Sequence, residues 1–436
     1  MKNVFFSKGR NLLKAIKAES LNVLSIKKQF PIKATKQMPP FVGSLESMAA
    51  GFYRLAWTED GYPGRLQDDG EIWEHPIYPT YVLKNYIFQY EKNPTIELED
   101  AIRTVAYGAI KRMQPLKDAI VFWYEPGESR RLFKKHYSAL TQGYYAIQFY
   151  RAGQILNDSN LLEASRKTFL ALKISEKDGG VLFRDENGIS IAEVPQEPNS
   201  YILNGWQSAL VSTWTYFELS GDTEARDLVL ASAATMEKLL ALYDAPNNAS
   251  SYYALTGYTY VRAVEAEILN AQIFIPTEGT YGLTEYKSRW ANHRISANQL
   301  NLVFSLASFP KENVLTLDVD KETEIQIQVG SFDPLSSQPV NVDWISLGTI
   351  SSGSSSVVIP WEHVYKIVYP TNFIKKIDGK NTNVYHAVHI NRLHELHSIT
   401  GLSGMNLWSN NWTEAISKWD EIYPGLHHGR LTSKEN

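Results

Sequence analysis

The sequence predicts a mainly α protein, an α/α barrel or toroid of helical hairpins that carries an inserted β-sandwich or β-barrel domain. From about Leu45 to Tyr243 apolar residues recur at three- and four-residue intervals, in YVLKNYIFQYEKN, AIRTVAYGAIKRM, YSALTQGYYAIQFYRAGQIL, LLEASRKTFLALKI and ARDLVLASAATMEKLLALY. Gly, Asp, Asn and Pro turns separate these segments, so successive amphipathic helices are joined by short loops. Between about Asn313 and Trp361 the pattern changes to apolar and polar alternation broken by turn clusters, which is the signature of short strands. Helical spacing returns in YHAVHINRLHELHSITG and WTEAISKWDEIY. The expected organisation is a basic extension over 1–40, a helical α/α barrel domain over 41–255, a β-rich insertion over 256–380, and helices over 381–436 that rejoin the helical domain.

The 436 residues suffice for a large core with an appendage. No apolar run approaches the length of a spanning helix. The chain has no cysteine, which excludes disulfides, thiol nucleophiles and thiolate metal sites. The net charge of −4 hides an asymmetry: Lys2, Lys8, Arg10, Lys14, Lys17, Lys27, Lys28, Lys33 and Lys36 face only Glu19 in the first 38 residues. With Leu12, Leu13, Ile16, Leu21 and Leu24 at helical spacing, this arm reads either as a segment lying on an anionic membrane face or as a solvated extension. The expected location is cytoplasmic, peripheral at the inner membrane in the first case. The acidic body, lacking a basic stripe interleaved with aromatics, argues against nucleic acid.

The chain holds 25 Tyr and 11 Trp, residues whose faces grip sugar rings. Trp57, Arg65, Trp73, His75 and Tyr78 cluster in the turn-rich stretch WTEDGYPGRLQDDGEIWEHPIYPTY, as a groove or as packing between helix ends. His386, His389, His394 and His397 fall within about 140° of one helical wheel. The outer pair is separated by about 16 Å of helix axis, too far to share one ion, and inward-facing hydrogen-bonded histidines are the plainer reading. No metal is expected. The proline-punctuated loop EVPQEPNSYILNG brings Glu193, Tyr201 and Asn204 to the mouth of a helix, where Asn204 also reads as a cap.

These segments resemble a known family. NSYILNGWQSALVSTWTYFELSGD, LLALYDAPNNASSYYAL, YHAVHINRLHELHSITG and WTEAISKWDEIY, with HPIYPTYVLKNYIFQYEKN and HYSALTQGYYAIQFYRAGQIL upstream, are similar to the C-terminal catalytic domain of D-glucuronyl C5-epimerases, which convert glucuronate to iduronate within heparosan or heparan chains. The resemblance implies a uronate polysaccharide as substrate, no cofactor, and a homodimer. Carried over by position, the catalytic groups fall on Glu193, Tyr253 and Tyr385. Tyr78, Gln142, Arg184, Tyr201, Asn204, His386, His389 and Asn391 are the expected substrate contacts. Two departures stand out: Val194 occupies the place of a family tyrosine, and a long insertion separates Tyr253 from Tyr385. The basic residue expected just after Tyr253 is missing as well, with Arg184, Arg130 or Arg65 as substitutes.

Inverting C5 of a uronate needs one group to remove a weakly acidic proton and another to return one from the opposite face, while donors neutralise the charge developing on the carboxylate. A carboxylate with two phenols can meet that need. A polysaccharide lyase begins with the same proton removal, a non-catalytic uronan-binding protein needs only the groove, and a glycoside hydrolase would require a second carboxylate.

Overall fold

The structure is a computed structural model that describes residues 38–39, 55–67, 69–125, 135–276, 279–285, 289, 291–308, 312–333, 338–368, 374–377, 380–425 and 427–428. The basic arm and Arg130 lie outside the described residues. Strands β1 (Leu55–Trp57), β2 (Pro63–Leu66) and β3 (Ile72–Trp73) form a small antiparallel sheet. Helices α1 (Tyr78–Lys92) and α2 (Ile96–Arg112) follow, then the hairpin of β4 (Gln114–Leu116) and β5 (Ala119–Val121). Next come α3 (Ala139–Leu156), α4 (Ser159–Leu170), the hairpin of β6 (Leu182–Asp185) and β7 (Gly188–Ile191), and α5 (Leu203–Ser220) with α6 (Thr223–Leu239).

Local chemistry sets these boundaries. Thr95, Asp158 and Asp222 accept a first-turn N–H at the starts of α2, α4 and α6, while Gly221 ends α5 in the left-handed conformation. Helices α3 and α5 have no side-chain cap and are buried on most sides, so packing rather than capping holds them. Helices α1 and α3 share a direction and depth: the Tyr145 hydroxyl on α3 donates to Pro76 O just before α1 (2.7 Å), and Arg151 near the end of α3 pairs with Glu91 near the end of α1 (2.6 Å).

After β8 (Asp244–Ala245), β9 (Ser250–Ala263) runs 14 residues out of the helical region. It is joined by β10 (Ile268–Ile275), β11 (Gly279–Gly282), β12 (His293–Ser296), β13 (Gln299–Ser305), β14 (Asn313–Val319), β15 (Thr323–Asp333), β16 (Gln338–Ile350), β17 (Gly353–Ile359) and β18 (Tyr365–Val368). One antiparallel sheet has the order β12-β13-β9-β15-β16, with β8 and β18 also pairing with β9; a second has the order β11-β10-β14-β17. Alternating Ile273, Ile275, Leu315 and Leu317 of the second sheet bury with Leu300, Leu302, Ile325 and Ile327 of the first in one core. Strands β19 (Ile374–Ile377) and β20 (Lys380–Asn383) lead to α7 (Tyr385–Thr400), α8 (Ser403–Ala415), α9 (Trp419–Ile422) and β21 (His427–His428). Helix α7 lies beside α5 at equal depth, since Gln207 Nε2 donates to His389 O (3.2 Å).

The fold corrects the expected mainly α barrel. The chain is a mixed α and β protein in which antiparallel sheets and hairpins accompany the helices from Leu55 to Asn383. The hairpins between helix pairs have strands of only three or four residues, too short to show alternation in a sequence window. Among the described residues, no helix is long and apolar enough to cross a membrane.

Candidate active site

Helices α5 and α7 begin at one level, and the loop before α5, strand β9 and the start of α7 meet there. The loop is ordered by its own hydrogen bonds. Tyr201, at φ +45°, donates its hydroxyl to Asp185 and takes its backbone N–H to Asn199 Oδ1 (3.1 Å), while the Tyr243 hydroxyl donates to Tyr201 O (2.6 Å). Tyr201 is buried and committed to the hairpin, so it does not fill the place left by Val194.

Glu193 lies against the first turn of α5. Gly205 makes this approach available: a Cβ there would stand 2.0 Å from Glu193 Oε2 and 2.5 Å from its Cδ. The first-turn N–H groups of a helix lack intrahelical partners and the terminus favours negative charge, so this seat suits a carboxylate. Ile202 is the N-cap, and Asn204 is the second helical residue. Asn204 therefore does not cap the helix as its sequence context suggests; its side-chain Oδ1 is buried without a hydrogen bond, at the mouth of α5.

Val194, the next residue after Glu193, is 7% exposed and packs in one cluster with Ile202, Tyr253, Ala254, Tyr258, Val303 and Tyr365, against which Tyr260 and Tyr385 also pack. The rings of Tyr253 and Tyr385 meet edge to face with centroids 6.4 Å apart. Thus Glu193 adjoins the packed cluster that holds both tyrosines. Tyr253 is buried, while Tyr385 is half-buried as the first residue of α7.

His386 and His389 anchor this pair. Both are fully buried, and their Nδ1 atoms lie 2.8 and 2.7 Å from the one hydroxyl of Ser251. With His386 Nε2–H donating to Trp412 O (3.3 Å), His386 Nδ1 accepts from Ser251, and the Ser251 oxygen then accepts His389 Nδ1–H. Burial, then the neighbouring His386, holds His389 well below the usual imidazole range, which keeps it neutral. Ser251 stands two residues before Tyr253, and His386 directly follows Tyr385. The node therefore ties β9 to α7 at the tyrosine pair. Among the described residues no His, Asp and Glu group is placed to hold a metal ion.

The other expected contacts divide. Gln142 spends its amide on the backbone of β5 and the residue after it, accepting from Phe122 N (3.1 Å) and donating to Ile120 O (2.8 Å). Tyr78 is buried at the start of α1 in an aromatic group with His75, Trp73 and Tyr124. Trp57 instead stacks on Tyr86 in the core, and Arg65 lies opposite Trp73 on β2. Arg184 is exposed on β6, and Asn391 is half-buried on α7. Sequence reasoning missed Tyr258, Tyr260 and Tyr365. Tyr258 and Tyr365 stand directly opposite across β9 and β18 with rings 5.5 Å apart. Arg289 lies beside Tyr258 and Tyr260, offsetting part of the burial that pushes Tyr258 up to about 12. The alternation in GYTYV was a legible signal for Tyr258 and Tyr260, whereas nothing in the sequence pairs them with Tyr365 or Arg289.

Residues 119–292 match the family model of the D-glucuronyl C5-epimerase C-terminus, a span that includes Glu193, Val194 and Tyr253. That span, about 40% of the chain, is similar to the C-terminal region of D-glucuronyl C5-epimerases. A D-glucuronyl C5-epimerase from Caenorhabditis elegans is 30% identical over 120 residues, which are 25% of this chain and 20% of that protein. The chain thus aligns with about a fifth of the length of that curated relative. The crystal structure of a D-mannose isomerase is similar at 15% identity and a TM-score of 0.31, over 44% of this chain and 50% of that one. At that score the likeness carries no argument about fold or function.

Proposed function

We propose that this chain inverts C5 of D-glucuronate to L-iduronate within a heparosan-like polysaccharide. The observation that carries the reading is that Glu193, seated on the mouth of α5, directly precedes Val194, whose cluster holds Tyr253 and has Tyr385 packed against it. Glu193 and the phenols come from separate elements, so they can address a sugar ring from different sides. One group takes the C5 proton, leaving a carbanion delocalised into the adjacent carboxylate, and a phenol returns a proton to the opposite face. Neutral donors, the second phenol among them, stabilise the charge that gathers on the carboxylate oxygens. Ser251, His386 and His389 are positioning residues, since they hold the strand and the helix that carry the tyrosines.

The family tyrosine replaced by Val194 leaves an apolar wall, and three further phenols, Tyr258, Tyr260 and Tyr365, stand in the same cluster. Tyr385→Phe and Tyr253→Phe should each lower C5–H exchange at least about a hundredfold, the scale of one acid or base group, while an oligosaccharide still binds. Exchange at the wild-type rate in both variants would remove the phenols from the mechanism. Elimination at C4 by the same base would instead yield an unsaturated uronate, so ultraviolet absorbance in the same assay separates a lyase.

A further inference from the structure

The insertion between Tyr253 and Tyr385 carries a second surface suited to sugar. Strand β9 leaves the site at Tyr253 and alternates. Val261 and Ala263 bury with Ile325 and Ile327 of β15 in the core, so Tyr260 and Arg262 of β9 and Gln326 and Gln328 of β15 stand on the outer face of the same sheet. Register fixes their neighbours. Gln326 lies opposite Arg262, Gln328 lies opposite Trp344 of β16, and Tyr258 lies opposite Tyr365 of β18.

Close contacts join these side chains into one strip. The Tyr258 ring stands 5.5 Å from Tyr365 and 6.0 Å from Tyr260, and the Tyr365 hydroxyl donates to Gln328 Oε1 (3.3 Å). Arg262 lays its guanidinium over the Trp344 ring, 4.3 Å from the centroid, and donates its Nε–H to Gln326 Oε1 (2.9 Å). Gln326 Nε2 donates in turn to Glu324 Oε2 (2.9 Å). Tyr253, Tyr258 and Tyr365 share one packed cluster, against which Tyr260 and Tyr385 both pack, so the strip is continuous with the candidate active site.

Arg262, Gln326, Gln328, Tyr260 and Trp344 are all half-buried, so each keeps part of its surface in water. Arg262 forms no ion pair among the described residues, and its two terminal nitrogens make no hydrogen bond there. The stack on Trp344 and the Nε bond hold the plane of the fork, which matches a carboxylate in two parallel bonds. Amides exchange hydrogen bonds with sugar hydroxyls, and a phenol ring packs on a sugar face. We infer that the outer face of β9, β15 and β16 is a platform for the polymer, with Arg262 on the carboxylate of a uronate remote from the reacting one and Tyr260 against a sugar ring between them. The inference rests on the proposed substrate class. Continuity with the site and the unpaired guanidinium favour an anionic polysaccharide as the occupant. Arg262 lies nine residues past Tyr253, about 30 Å along a strand at roughly 3.3 Å per residue, so only a chain of many sugars reaches both.

The test uses the full chain with polymeric heparosan and with a heparosan tetrasaccharide. Titration calorimetry of Arg262→Gln should show the polymer weakened about tenfold, the loss of one charge-assisted contact, and the tetrasaccharide changed less than about twofold. Trp344→Ala removes the ring under the guanidinium from the outermost strand of the sheet, away from the core, and should give the same selective loss. Equal weakening of both ligands, no weakening in either variant, or a wild type that holds the polymer no more tightly than the tetrasaccharide overturns the platform. Calorimetry reads binding without turnover, so selective loss in a protein that never exchanges C5–H would leave the platform standing and sink the epimerase reading. C5–H exchange on the polymer with an unchanged KM in both variants would do the reverse.

Discussion

Gly205→Ala puts the seat of Glu193 to a direct test. The added Cβ would stand 2.0 Å from Glu193 Oε2, whereas ordinary contact begins at 3.4 Å, so the carboxylate must retreat by about 1.4 Å. Displacement of a reacting group by about 1 Å costs on the order of a hundredfold in rate, and that is the expected fall in C5–H exchange. Stability falls as well, by about 1 to 3 kcal/mol, because the new Cβ would also stand 2.4 Å from Glu193 Cβ, which side-chain rotation cannot relieve, so the loop or the first turn of α5 must shift. Gly108→Ala is the matched control: its Cβ meets nothing closer than 3.6 Å in α2, so exchange stays at the wild-type rate while the helix gains from the propensity of alanine. The assay is deuterium incorporation at C5 by NMR with a thermal unfolding scan of the same samples. A Gly205→Ala protein that folds and exchanges at the wild-type rate would refute the placement of Glu193 in the chemistry.

Other predictions follow from the surrounding packing. Ser251→Ala leaves the two buried histidines without their shared hydroxyl and should cost about 1 to 3 kcal/mol in urea unfolding; a change below about 0.5 kcal/mol would contradict the node. Val194→Tyr forces a phenol into a filled cluster and should destabilise by about 1 to 3 kcal/mol, with an unaltered midpoint counting against the described packing. Burial lowers His75 from 6.5 to about 3, and His389 shifts in the same direction. Above pH 6.5 both states are neutral and the folded form keeps its full stability; below it the unfolded chain takes up protons that the folded chain refuses. Stability should therefore fall as pH drops from about 6.5 toward 3, by at most about 1.4 kcal/mol per pH unit for each histidine. A urea midpoint equal at pH 7 and pH 5 would go against both buried rings.

The helical half of the molecule was legible because its signals are long and local. Periodic apolar residues, Thr95, Asp158 and Asp222 as caps, and Gly221 as a stop all act within a turn or two of themselves. The β half was read only in part, and its extent misled the fold class: strand β9 starts at Ser250 inside a run of serines and tyrosines that looks like a loop, and the two- to four-residue hairpin strands leave no period to detect. Tyr201 illustrates a different limit. A phenol on the right loop looked available for chemistry, but its hydroxyl belongs to Asp185, a partner 16 residues away on another hairpin. Gln142 is similar, for burial and two backbone bonds cannot be read from a helical position alone. Gly205 shows the converse, since its importance lies wholly in a side chain that approaches from twelve residues upstream.

The most direct measurement of the central claim is incubation of the chain with heparosan in deuterated water, with C5 deuteration and iduronate signals followed by NMR and unsaturated uronate by ultraviolet absorbance. The account predicts deuterium at C5 and new iduronate with flat absorbance, both abolished in Tyr385→Phe. Rising absorbance, or exchange that survives in Tyr385→Phe and Gly205→Ala alike, would contradict it.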